Sequence, residues 1–232
     1  MKRNQSGFTL IEIAIVLVII GLLLGGVLKG QEMINSAKVK NLATDFKNVP
    51  LFIYGYQDKY RALPGDDAAV ASAHLGTTVN GVTVVLATKP AAATVGNGVL
   101  NGAWNSTDKD DETVLFWQHV RLAGLAPGPT TAPTDATTAQ DFYPKNADGG
   151  HIGITSGVNT PVTGLSGTYI VCSSGILGKF AKQLDTTLDD GVTDNGSVRV
   201  IANQTWDQAA AVASIALGSV NDATTYTVCM AI

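Results

Sequence analysis

The stretch GFTLIEIAIVLVIIGLLLGGVL, residues 7–28, decides the fold of this 232-residue chain. After Glu12 the stretch contains no charged residue, and a helix over residues 8–28 is about 30 Å long, which is enough to cross a bilayer. Lys2 and Arg3 precede it, and basic residues at this end favour the cytoplasmic side of a membrane. The sequence therefore predicts one membrane helix whose N-terminus is cytoplasmic.

Glu12 is the one charged residue within this apolar stretch. A carboxylate left in hydrocarbon costs roughly 2.5 kcal/mol or more, so its presence requires a partner or a function. A simple signal anchor explains the basic leader but leaves Glu12 unexplained. An ordinary secretory signal has a shorter apolar core with a small-x-small cleavage site after it, whereas here the small residue Gly7 precedes the core. The pattern disfavours both alternatives.

The string GFTLIE, residues 7–12, follows a basic leader and precedes an apolar helix. In this it resembles the processing signal of the type IV pilin and pseudopilin superfamily. The resemblance implies that a membrane-embedded prepilin peptidase cuts between Gly7 and Phe8, and that Phe8 becomes N-methylated. It also implies that Glu12 is the assembly residue. In a filament, out of water, the Glu12 carboxylate would pair with the α-amino group of Phe8 on an adjacent subunit, which offsets two desolvation costs.

The resemblance implies an α+β pilin fold, in which a long N-terminal helix packs under a small antiparallel β-sheet with an extra helix or two. Three further strings, YQDKY, LPGDD and FWQHVRLAGL, resemble those of larger pilin-like proteins; they occupy residues 56–60, 63–67 and 116–125. The expected parts are a removed leader peptide, a transmembrane and filament-core helix, a continuing amphipathic helix, and a globular pilin domain with a connecting loop and a disulfide-bounded C-terminal region. They cover residues 1–7, 8–30, 31–62 and 63–232.

Apolar residues continue at helical spacing beyond the membrane segment. Successive members are three or four residues apart: Leu42, Phe46, Val49, Ile53, Tyr56 and Tyr60. This spacing predicts an amphipathic helix whose apolar stripe packs on the globular domain. Pro50 lies inside it and predicts a bend or a break, because proline removes one backbone hydrogen bond. The turn residues of LPGDD predict that the helix ends near residue 61.

Local patterns predict the remaining elements. A second helix is expected from Glu112 to Ala123, with Asp110 or Asp111 as its N-terminal cap and Gly124 as the residue that ends it. Residues 126–141 are rich in Pro and Thr and are expected to form a loop. A further helix is expected over the apolar residues from Ile176 to Leu188. Strands are expected at residues 82–86, 151–155, 168–173, 197–202 and 225–231.

Cys172 and Cys229 are the only cysteines, and both lie in predicted strands beyond the membrane helix. Because the exported side of the membrane is oxidising, we predict a disulfide between them; two buried free thiols are the alternative. Two cysteines so far apart do not form a zinc signature.

Acidic residues cluster before the last predicted strands. Calcium takes six to eight oxygen ligands in a flexible loop, so Asp189, Asp190 and Asp194 are candidate calcium ligands. The resemblance supports this, since some pseudopilins hold calcium near this end. The spacing fits no EF-hand, however, and the pairs Asp190-Gly191 and Asn195-Gly196 are typical of simple turns. No other cofactor is expected.

Neither nucleic-acid binding nor catalysis is favoured by the composition and motifs. The net charge is −4, so no basic field exists to attract nucleic acid. No Gly-x-Ser-x-Gly elbow, phosphate loop or Cys-x-x-Cys pair occurs, and His74, His119 and His151 lie in unrelated contexts. We therefore expect a protein that is not an enzyme.

These expectations together define a structural subunit of a type IV pilus. It is expected in the inner membrane as a single-pass precursor and then in an extracellular fibre. Its expected partners are further copies of itself in a helical filament, the prepilin peptidase and an inner-membrane assembly platform. One alternative is a periplasmic pseudopilin of a type II secretion system, and another is a minor pilus tip or adhesion subunit. Cleavage after Gly7 leaves 225 of the 232 residues, which is large for a major pseudopilin and favours the pilus.

Overall fold

A computed structural model describes residues 10–70, 74–76, 78–79, 82–83, 87–90, 95–208 and 210–232. The chain divides into two units between Lys38 and Val39. Within the described residues the elements are α1 (Leu10–Tyr60), β1 (Thr78–Val79), β2 (Val82–Thr83), α2 (Glu112–Leu122), α3 (Ala136–Phe142), β3 (Ile152–Ser156), β4 (Tyr169–Leu177), α4 (Gly178–Leu188), β5 (Val198–Ala202) and β6 (Thr225–Ala231). This is an α+β, pilin-like fold, as predicted: a long N-terminal helix is followed by a small antiparallel sheet and further helices.

Helix α1 confirms the predicted apolar stripe in its second part. Its buried residues are Val39, Leu42, Ala43, Phe46, Val49, Ile53 and Tyr56. Helix α1 continues through Pro50 to Tyr60, so the predicted break does not occur. Val49 and Ile53, on either side of Pro50, are both 1% exposed, and their packing supports the helix where one hydrogen bond is missing.

The main sheet has the strand order β3-β4-β6-β5, and each neighbouring pair is antiparallel. Its four strands lie where the sequence predicted them, but β4 is longer than expected. Ile176 and Leu177 belong to this strand rather than to the following helix. The register shifts between Ser173 and Ile176, and Gly175 has φ 69°, a left-handed conformation that glycine adopts without strain. This irregularity lets the strand continue to the start of α4.

Both faces of the sheet are buried. Alternate residues of a strand point to opposite faces. Val171 and Val228 pack in the same cluster as Phe46 of α1. Cys172 and Cys229 face a second cluster on the other side of the sheet, formed with Trp104, Val162, Leu165, Ile170 and Ile201.

The predicted strand over residues 82–86 is confirmed only in part. Val82 and Thr83 form β2, which pairs with β1, whereas residues 84–86 lie outside the described residues.

Helix α2 matches its prediction, with Asp111 before it and Gly124 after it. The Asp111 carboxylate does not cap the helix; it accepts a hydrogen bond from Ser106 Oγ at 2.5 Å instead. Gly124 has φ 77°, which suits the residue that follows a helix.

The prediction of a loop over residues 126–141 is wrong, because helix α3 occupies its end. Asp135 accepts a hydrogen bond from the Thr138 N–H at 2.8 Å, and the Asp135 N–H donates to Thr138 Oγ1 at 3.0 Å. This reciprocal cap starts the helix. Ala139 and Phe142 are buried and stabilise it.

Candidate functional site

The residues predicted for processing and assembly fall at the start of the chain. Gly7 and Phe8 lie outside the described residues. Glu12 lies in the first turn of α1 as described and is exposed. Cleavage at Gly7, methylation of Phe8 and the assembly role of Glu12 therefore stay predictions.

The first part of α1 presents an apolar surface that is exposed among the described residues. Every residue from 10 to 29 is exposed, and the large apolar side chains between Leu10 and Leu28 are 46–92% exposed. An 18-residue window of this helix has a mean hydropathy of 2.8, so by length and composition it can cross a membrane. The apolar run ends at Lys29, whose Nζ lies 2.7 Å from Glu32 Oε2. Such a surface needs lipid or another protein surface around it.

Two buried carboxylates anchor the turn that follows α1. Asp67 accepts a hydrogen bond from Tyr56 Oη at 2.8 Å, and its Oδ2 lies 2.6 Å from His74 Nδ1. Asp66 accepts a hydrogen bond from the Gly98 N–H at 2.6 Å. These bonds fasten the connecting segment to the end of the helix. The sequence predicted this turn but did not show which groups form hydrogen bonds with its two carboxylates.

His119 is fully buried on α2, so it is a packed residue. The Gly65 N–H donates to His119 Nδ1 at 2.9 Å, which leaves the proton on Nε2 to donate to the Thr88 carbonyl oxygen at 3.0 Å. Burial lowers the pKa of His119 to about 4. Gly65 has φ 91°, and a Cβ there would collide with the Glu112 carbonyl oxygen, so this position requires glycine.

His151 lies in a stack of aromatic rings. Its ring centroid is 5.0 Å from that of Trp104 and 4.0 Å from that of Trp206. Its Nδ1 lies 2.8 Å from Ser174 Oγ, and its buried Nε2 has no hydrogen-bond partner among the described residues. Burial, with a contribution from the charge of Lys145, lowers the pKa of His151 to about 4. This stack joins the segment before β6 to the segment before α2.

The predicted disulfide between Cys172 and Cys229 is confirmed. The two residues face each other across β4 and β6, with their Cα atoms 4.1 Å apart. Both cysteines are fully buried. The bond joins the two central strands of the sheet and so ties the last strand of the chain to its neighbour.

The candidate calcium ligands lie in the loop between α4 and β5, where their oxygens support turns. Asp189 Oδ2 accepts the N–H of Ser197 at 2.6 Å, and Asp190 Oδ1 accepts the N–H of Val192 at 2.9 Å. The carbonyl oxygen of Asp194 accepts a hydrogen bond from Ser214 Oγ at 3.3 Å. In the part of the chain that the structure describes, no three His, Cys, Asp or Glu residues group as a metal site. Calcium binding at these residues stays a prediction.

One acidic residue of α1 went unnoticed in the sequence. Asp45 is half-buried in an apolar groove, although a single carboxylate on an amphipathic helix usually marks a solvated face. The available signal was its position between Ala43 and Phe46 of the buried stripe.

Residues 2–28 match the family model for the prokaryotic N-terminal methylation motif. Neither a curated protein nor a solved structure matches the chain. The motif is consistent with the type IV pilin and pseudopilin superfamily, and it implies processing by prepilin peptidase and pilin-type assembly in general. With the pilin-like fold, it supports a precursor of the pilin-like or pseudopilin-like class. The apolar helix and the motif fit a precursor that is anchored in the membrane.

Proposed function

We propose that this protein is a structural subunit of a type IV pilus. Its precursor is cut between Gly7 and Phe8, methylated at Phe8 and polymerised into an extracellular helical fibre. One observation carries the proposal: the methylation motif is continuous with a helix whose apolar surface is exposed from residue 10 to residue 29. A helical polymer covers such a surface with neighbouring copies, because a head-to-tail contact that does not close repeats along a fibre.

Glu12 supplies the specific contact in this proposal. Among copies packed through their apolar helices, its carboxylate leaves water and pairs with the α-amino group of Phe8 on an adjacent subunit. Removal of one partner from a buried ion pair costs about 3–5 kcal/mol, because the other charge stays buried without compensation. The role is structural and includes no catalytic step.

The test is intact-mass measurement and N-terminal sequencing of fibres sheared from the native host. Wild type is compared with Glu12→Ala and with the control Glu32→Ala, which removes a carboxylate that is 70% exposed on the same helix. We expect chains that begin at methylated Phe8 to dominate the wild-type and control fibres, and to be lost in Glu12→Ala.

Two other results would contradict the pilus assignment. Processed protein found only in the cell envelope would favour the pseudopilin of a type II secretion system, which uses the same processing chemistry. Uncut protein that still begins at Met1 would contradict both assignments.

A further inference from the structure

A groove of about 200 Å³ lies wholly within the second unit. Apolar side chains form most of its walls: Val49 and Phe52 of α1, Trp117 of α2, Pro127 and Ile152. Asp45 also lines the groove and is half-buried there. The groove therefore combines an apolar wall with one carboxylate.

Asp45 has no compensating partner among the residues that the structure describes. Among the residues that the structure describes, its carboxylate makes no hydrogen bond and no ion pair. Lys145 lines the same groove but does not pair with it. Burial raises the pKa of Asp45. Asp67, by contrast, accepts hydrogen bonds from Tyr56 Oη and the Ala69 N–H. A partly desolvated, unpaired carboxylate destabilises the free protein, and this is typical of a group that binds a partner.

The groove is suited to a ligand in which a cationic group stands at the end of an apolar chain. The apolar walls suit a chain of methylene groups, and Asp45 suits the ammonium group at its end. Lysine has this form. Lys40 and Lys47 are exposed on α1, and their ammonium groups make no hydrogen bond or ion pair among the described residues. A second copy of the chain therefore offers complementary charge.

We propose that this groove binds the ammonium end of a lysine side chain from a second copy of the chain, with Asp45 as its partner. The proposal rests on the proposed function, because a fibre is what brings copies together. Binding of a lysine side chain in the groove does not require a fibre. The lysine site and the proposed pilus function can therefore be contradicted separately.

The first experiment tests the groove in the full-length protein, solubilised as a monomer in mild detergent. The probe is N-acetyl-lysine N-methylamide, and the matched probe is its norleucine analogue, which has the same stem without the ammonium. Binding is followed through the NMR shift of the ¹³C-labelled Asp45 carboxyl carbon. We expect the lysine probe to bind and the norleucine probe to bind about tenfold more weakly or less. This comparison uses the wild-type chain alone.

Variants then identify the carboxylate, with NMR shifts of amides that line the groove as the readout. Asp45→Asn should weaken the lysine probe about tenfold or more, with an unchanged or higher Tm, because an uncompensated charge is removed. The control Asp58→Asn should leave binding unchanged, since that side chain is 87% exposed on the same helix. Equal binding of both probes, or equal effects of both variants, would overturn the proposal.

The second experiment tests the source of the lysine in fibres assembled from mixed ¹⁴N and ¹⁵N subunits. A carbodiimide activates the Asp45 carboxylate, and an adjacent lysine amine then forms an amide with it, with net loss of water into the urea by-product. A cross-linked peptide with one light and one heavy half, absent in Asp45→Asn, would support a second copy. If the monomer binds the lysine probe but the fibres give no such cross-link, the groove binds a free amine. The proposal that a second copy supplies the lysine would then be overturned. Should no fibre form, the proposed function fails, and the monomer result still decides the groove.

Discussion

Helix α1 is rich in apolar residues along most of its length, yet its two parts bury them differently. From residue 10 to residue 29 every residue is exposed, and charges are absent between Glu12 and Lys29. From Val39 to Tyr56 one stripe of apolar residues, at spacings of three and four, is buried, whereas Leu51 outside this stripe is exposed. A narrow stripe can be covered by a single domain, whereas an apolar surface on all sides of a helix requires a membrane or several neighbouring copies. Burial of the apolar residues in the first part therefore requires lipid or other copies of the protein. In the second part the apolar stripe is buried by residues of the same chain.

The largest effect is expected where α1 meets its own domain. Phe46→Ala should lower the free energy of unfolding by about 4 kcal/mol, because it leaves a cavity among fully buried side chains. The control Leu51→Ala, at a residue that is 63% exposed, should change it by less than about 0.5 kcal/mol. The measurement is denaturant unfolding of the full chain in mild detergent, followed by tryptophan fluorescence. All three tryptophans lie in the second unit, so the signal reports on that unit alone. Equal effects of the two substitutions would contradict the assigned stripe.

Removal of the disulfide should destabilise the second unit by about 3–4 kcal/mol. Cys172 and Cys229 are 57 residues apart, and the bond restricts the unfolded chain over that length. The double substitution to alanine should lower the midpoint of the fluorescence transition, while the far-UV circular dichroism of the micelle-bound part of α1 persists. If the circular dichroism of the first part of α1 were lost together with the fluorescence signal of the second unit, the two parts of the helix would not unfold independently.

Acid should also act on the second unit, which holds all three histidines of the chain. His119 and His151 each have a pKa of about 4 in the folded protein, below the ordinary value of 6.5. Each therefore stabilises the fold fully above pH 6.5 and loses that contribution as the pH falls towards 4. The loss is about 3 kcal/mol for each histidine.

Asp185 opposes this loss. It is fully buried on α4, and burial raises the pKa of its carboxyl group from 3.8 to about 6. The folded state therefore takes up this proton first, which stabilises it by about 2–3 kcal/mol as the pH falls from 6 towards 4. We expect unfolding measurements to show a net loss of stability between pH 7 and pH 4, because the contributions lost at the two histidines exceed the gain at Asp185. Asp185→Asn should steepen this loss, and an unchanged pH profile would contradict the assignment.

The sequence predicted elements whose signal is local or strictly periodic. The stripe from Leu42 to Tyr56 follows from spacing, and β6 follows from a run of β-branched and aromatic residues. Helix α3 was not predicted because residues 126–141 are rich in Pro and Thr, as loops are, although Asp135 and Thr138 are residue types that cap a helix. The break predicted at Pro50 does not occur, because the low helix propensity of proline is outweighed by the burial of Val49 and Ile53.

The contacts of the site were much less predictable. The methylation motif is contiguous, so it is visible in the sequence alone. The stack of Trp104, His151 and Trp206 joins residues far apart in the chain, and so does the groove around Asp45. Such contacts depend on the assembled sheet and helices; the sequence shows only that Asp45 lies between Ala43 and Phe46 of the buried stripe.

The smallest effect in the isolated chain is expected for Leu23→Ala in the first part of α1. Leu23 and Leu51 are both 63% exposed, so the same substitution at each position compares the two parts of the helix directly. In detergent both should change the free energy of unfolding by less than about 0.5 kcal/mol, since neither side chain packs in the core. In fibres the two should differ, because neighbouring copies would cover Leu23 and its truncation would leave a cavity there. Fibre yield and the temperature at which fibres dissociate should therefore fall for Leu23→Ala more than for Leu51→Ala. Equal fibre stability for the two variants would mean that the apolar surface is covered by lipid alone, and that its exposure in the chain reflects membrane anchoring rather than assembly.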